Sequence, residues 1–152
     1  MTYDAAEARQ ALLDNLAEAI DELATALAAL GGAYEQLDEH NADLLEAELF
    51  RPLQTAYGRA QRTHAVFAER YGLPGRTFEP AIEGAPSTGA HGFVELAVEN
   101  AGYADQTLAD LQDSLAPVEV GDPELRAGLA EVRTLIAPIG PRAARFLSTR
   151  GR

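Results

Sequence analysis

Leu13, Leu16, Ile20, Leu23, Leu27 and Leu30 recur at spacings of three and four, a heptad-like seam that predicts a helix from about Asp4 to Leu30. Asp14, Glu18, Asp21 and Glu22 fall off that seam and read as its solvated face. Asp4 and Glu7 make an Asp-containing capping box at the start, and Gly31 with Gly32 is expected to end the helix.

A second row, Leu53, Tyr57, Ala60, His64, Phe67 and Tyr71, lies on one face of a longer helix predicted from near Ala33 to Tyr71. Pro52 interrupts that helix, and a kink is expected around Glu48 to Arg51, because proline removes a backbone donor and crowds the carbonyl four residues back. Upstream of the kink the apolar residues change face: Leu37 and Leu44, with Tyr34 at the edge, lie off the Leu53 row. Gly72 and Pro74 supply the stop.

From 72 to 89 the chain is rich in Gly and Pro and lacks a helical period, which predicts a long loop. Leu73, Phe78 and Ile82 could fold it back as a packed flap, and a mobile lid over a site is the alternative. A third helix is predicted from a Ser87 or Thr88 cap to Leu115, with Val94, Val98, Ala101, Ala104 (or Asp105), Leu108, Leu111 and Leu115 on its seam. The fourth has the clearest start, Asp122 as cap, Pro123 at the first position and Glu124 at the positive helix end. Leu125, Leu129, Val132, Ile136 and Ile139 line it, and residues 141–152 read as a short helical tail. The whole predicts one all-α domain over 1–152: an antiparallel up-down-up-down four-helix bundle with a kinked long second helix and a long loop between helices 2 and 3.

Composition narrows the chemistry. The chain has no cysteine, which excludes disulfides, thiolate catalysis and cysteine-held metal centres and fits a cytoplasmic protein. No apolar stretch is long enough to predict a membrane span, and the N-terminus does not resemble a secretory signal. A net charge of -12 argues against nucleic acid and anionic membranes as partners. Every basic side chain is Arg.

On the expected topology the acids, among them Glu35, Asp38, Asp43, Asp122 and Glu124, gather at one end. The opposite end is then basic, with Arg59, Arg62, Arg70, Arg142 and Arg145 as candidates for contacting an anion.

No catalytic motif appears. The residues three before His40, His64 and His91 are Leu37, Gln61 and Thr88, so the Glu-x-x-His pairs of metal-binding bundles are missing, and no serine sits in a Gly-x-Ser-x-Gly elbow. No cofactor is predicted. The one constellation that the topology brings to a common level is His64, His91, Glu95, Glu7 and Asp4, which could hold a divalent metal or a small ligand under the 72–89 loop. The first functional expectation is a non-enzymatic bundle acting through protein association, as a homodimer or with another protein. The alternative is a metal- or small-ligand-binding bundle with its site at His64 and His91.

Overall fold

A computed structural model describes residues 4–79 and 89–150 of the chain. Among the described residues the regular structure is all helix, with no strand. They form seven α-helices: α1 (Ala5–Glu35), α2 (Glu39–Leu45), α3 (Arg51–Arg70), α4 (Gly89–Asp113), α5 (Ala116–Glu119), α6 (Pro123–Ile136) and α7 (Ile139–Arg150). A π-helical segment, Glu46–Phe50, joins α2 to α3. Ile82 and the Ser87 or Thr88 cap lie outside the described residues.

The Leu13 to Leu30 seam is buried, and a second stripe, Leu12, Ala19, Ala26 and Ala33, is buried beside it. α1 therefore has neighbours on two sides. It packs most extensively on α4, whose Ala97, Ala101 and Ala104 are likewise buried, so small residues meet on both helices and let them approach closely. α1 also contacts α3, and α6 contacts both α3 and α4, which closes a ring of neighbours.

The predicted stop at Gly31 and Gly32 is corrected: α1 continues to Glu35, and Asp38 caps α2 by accepting from Asn41 N at 2.8 Å. Gly32 has a packing role instead. A Cβ there would lie 3.0–3.1 Å from three ring atoms of the buried Phe93, whereas one on Gly31 would meet nothing. Gly72 does end α3, at φ 66°, with Gly72 N donating to Glu69 O and Leu73 N to Ala68 O. That is a Schellman turn.

Contacts between helices also correct the up-down-up-down order. Gly32 meets Phe93 near one end of α1, and Glu22 meets Thr107 further back, so α4 runs opposite to α1. Arg9 covers Tyr71 and Arg70 binds Asp122, so α3 runs opposite to both α1 and α6. α3 and α4 therefore point the same way.

The end-to-end charge separation does not survive the new order. Asp122 and Glu124, expected at the acidic end, pair with Arg70. Arg142 and Arg145, expected beside Arg70, contact Glu48 instead. Glu48 and Arg70 are roughly 33 Å apart along a helix at 1.5 Å per residue.

Candidate functional site

Of the buried side chains among the described residues, only Thr63 and His64 are polar in type, and both belong to α3. Thr63 is satisfied: it donates to Arg59 O at 2.9 Å, accepts from Arg59 Nη1 at 2.8 Å, and packs on Gly128 of α6. His64 is not. It is 4% exposed, and Nδ1 has no hydrogen-bond partner among the described residues. Two turns earlier on the same face the hydroxyl of Tyr57 is buried and unpartnered in the same way. An unmade bond at a buried polar atom costs roughly 1–3 kcal/mol, so two on one helix face are unusual unless something else supplies the partner.

His64 lines an open cleft of about 560 Å³. One wall is α1, contributing Gln10, Asp14, Glu18, Asp21, Glu22 and Thr25. The other is the strap that follows α3, where Pro74, Gly75 and Arg76 reach across. Two contacts hold the strap. Arg76 bonds Asp21 at 3.0–3.1 Å, and Phe78 meets the His64 ring edge-on at 5.2 Å. The Arg76 guanidinium also lies 4.6 Å from the centre of the Phe78 ring. Phe78 thus takes the place expected of a packed flap.

The cleft is strongly electronegative, because four carboxylates face one guanidinium. Burial pushes the Glu22 carboxyl above its ordinary value; Thr107 opposes this by donating a hydrogen bond, and the charges of Glu18 and Asp21 add to it. Burial lowers the His64 imidazole, the Arg76 charge lowers it further, and Asp14 pulls the other way. Burial also raises the Tyr57 phenol, with the charges of Asp21 and Glu79 adding to it.

The remaining sequence candidates lie elsewhere. His91 is exposed on the first turn of α4 and reaches Glu95, at 3.4 Å. Phe93 sits at the level of Gly32, whereas His64 faces Asp14, and those two α1 positions are roughly 27 Å apart. His64 and His91 therefore do not converge. Asp4 caps α1, accepting from Ala6 N and Glu7 N, and its hydrogen bond with the Glu7 side chain holds the Asp4 carboxyl low and Glu7 high. Among the described residues no group of three or more His, Asp or Glu side chains is arranged to hold a metal ion.

Arg59, Arg62 and Arg70 do share a groove of about 410 Å³ between α3 and α6. Two of them are engaged there, Arg59 with Glu131 at 2.7 Å and Arg70 with Asp122 at 2.7 Å. Arg142 and Arg145 line a separate groove with Leu44, Glu48 and Phe146.

The sequence reading missed Asp14, Glu18, Asp21, Glu22 and Arg76. The 14, 18, 21, 22 spacing places the acids on one face, but a carboxylate stripe reads the same whether it meets water or a strap. Comparison with protein-family models, with curated proteins and with solved structures finds no match. No described helix is long and apolar enough to cross a membrane.

Proposed function

We propose that this chain is a small-ligand-binding domain built as a four-helix bundle of α1, α3, α4 and α6, with its site in the cleft between α1 and α3 beneath the strap of residues 73–79. The observation that carries this is the His64 side chain, which lines a cleft large enough for a small molecule and whose buried Nδ1 has no partner among the described residues. The cleft supplies one buried imidazole, carboxylates and a guanidinium, with no activated nucleophile beside them among the described residues, so the reading is binding rather than turnover.

The test is a charge-balanced fragment library followed by protein-observed NMR on the isotope-labelled chain. Ligands are expected to move the amides of residues 10–25 and 72–79 together with the His64 ring nitrogens. Hits that all fall elsewhere, or no hits, would overturn the assignment.

Self-association has less support. Leu37 packs against the core, which leaves Leu44 and Tyr34, each 42% exposed, to form the surface. Light scattering at high micromolar concentration reads it directly, and a monomer there sets it aside.

A further inference from the structure

The cleft already holds a cation. Arg76, delivered by the strap, lies among Asp14, Glu18, Asp21 and Glu22 and makes its ion pair with Asp21. One guanidinium leaves three of the four negative charges without a counter-charge from the cleft itself. Both members of the Arg76–Asp21 pair have half-exposed side chains, 49% each, so the pair is held in high dielectric and is weak. Asp14 accepts a hydrogen bond from the neutral amide of Gln10, at 2.9 Å.

Beside these acids stands His64, buried and with an unmade bond at Nδ1. In the tautomer with its proton on Nε2 the neutral imidazole presents a lone pair at Nδ1, and the partner for that lone pair is an N–H or O–H donor. Donors are what a carboxylate-lined wall also requires. The charge of the wall opposes anions, and a ligand that covers these water-exposed acids replaces their hydration best with cationic donors.

We infer that the cleft takes a small organic cation, whose ammonium or guanidinium N–H groups donate to Asp14, Glu18 and Asp21, displacing Arg76 from Asp21 and, as the strap with Phe78 lifts from the His64 ring, donating to its closed-off Nδ1. This rests on the ligand-binding function proposed above. Arg76 is then an internal competitor that occupies the site when the ligand is absent, and its release frees the strap. The size of the cleft suits a short polyamine or an arginine-like molecule.

Spermidine and argininamide are the cationic probes, glutarate and a neutral diol of similar length the controls, and titration calorimetry with NMR of the His64 ring the readouts. The cations are expected to bind and to shift the His64 nitrogens. Asp14→Asn and Asp21→Asn should each weaken binding about tenfold, the loss of one charge-assisted bond. Arg76→Gln should tighten it several-fold because the competitor is gone. Asp38→Asn with Asp43→Asn, which removes charge outside the cleft, should leave affinity unchanged. The exposure of Asp14 and Asp21 makes the amide variants compatible with folding.

Equal weakening by the two sets of acid variants would mean a diffuse charge effect and would overturn the inference. So would Arg76→Gln weakening the binding. If glutarate or the diol shifts His64 while the cations do not, the cation assignment falls and the ligand-binding site stands. If no probe of any charge reaches the cleft, both fall.

Discussion

Arg142 donates from Nη1 to the main-chain carbonyl of Glu48 at 3.3 Å. Glu48 lies four residues before Pro52, whose ring nitrogen has no hydrogen to offer that carbonyl. The π-helical segment Glu46–Phe50 sits at the same place, with Arg51 N bonding Glu46 O five residues back. The helix thus passes through proline by two devices, a widened turn and a side chain from α7.

That relationship predicts a coupling. Arg142→Ala should cost about 1 kcal/mol in urea unfolding, the value of one hydrogen bond to backbone. In a Pro52→Ala background, where the substituted residue regains a backbone N–H to donate to the carbonyl, the cost should shrink. Additive effects in the double-mutant cycle would show that Arg142 acts elsewhere.

Adjacent glycines should respond in opposite directions. Gly31→Ala places its methyl in open space inside a helix and should stabilise by about 0.5–1 kcal/mol, since alanine costs less backbone entropy. Gly32→Ala drives a methyl onto Phe93, a ring 1% exposed and hemmed in by the core, and should destabilise by about 1–3 kcal/mol. Trimming the ring with Phe93→Leu in the Gly32→Ala chain should recover part of that loss. Thermal unfolding of the set reads the signs.

Asp122 gathers three donors: Leu125 N at 2.8 Å, Arg70 Nε at 2.8 Å and the Tyr71 hydroxyl at 3.1 Å. Burial pushes its carboxyl up, but these bonds outweigh it and hold the carboxyl below its ordinary value of 3.8. Asp122→Ala removes the cap and frees Arg70, and should cost about 1–2 kcal/mol. Because the folded value is depressed, the stabilisation is complete above 3.8 and is lost as pH falls through the folded value. Asp122→Ala should therefore flatten the acid end of the stability profile, and an unchanged acid limb would count against this role.

His64 gives a separate, milder window. Its imidazole is depressed from 6.5 by burial first and by Arg76 second, against the pull of Asp14. Below 6.5 the unfolded chain binds a proton that the folded chain resists, so stability falls as pH drops through 6.5 and levels off below the folded value. The difference in unfolding free energy between the natural chain and His64→Leu should carry that slope. Parallel profiles would mean that the buried ring titrates freely.

Tyr57→Phe deletes a buried hydroxyl that bonds nothing among the described residues. Removing such a group without leaving a hole of any size should be neutral or stabilising, by up to about 1 kcal/mol. A clear loss of stability would reveal a partner for the hydroxyl.

Periodicity and local chemistry placed much of the helical structure, because a one-sided apolar row has few ways to be buried. Even so, α1 runs past the expected start of the second helix near Ala33, and Ile139, expected on the fourth helix, opens α7. The Leu13 to Leu30 seam, the Leu53 to Tyr71 row, the Asp122 cap and the Gly72 stop all lie where the pattern put them. Local chemistry was enough for these. It failed at Gly31 and Gly32, where the determining contact is Phe93, about sixty residues away in the chain.

Tertiary structure alone decided the direction of α4. A helix seam is equally apolar read from either end, and a long loop reaches either pole of its neighbours, so nothing local separates the two orders. That single choice parted His64 from His91 and mixed the two charge poles. The Asp14 to Glu22 stripe became one wall of a cleft for another reason, the strap of residues 73–79 laid across it. The sequence determined that His64 stands on the inner row of α3. Its unmade bond, the acids opposite and the Arg76 between them come from how α1 and the strap close over that row.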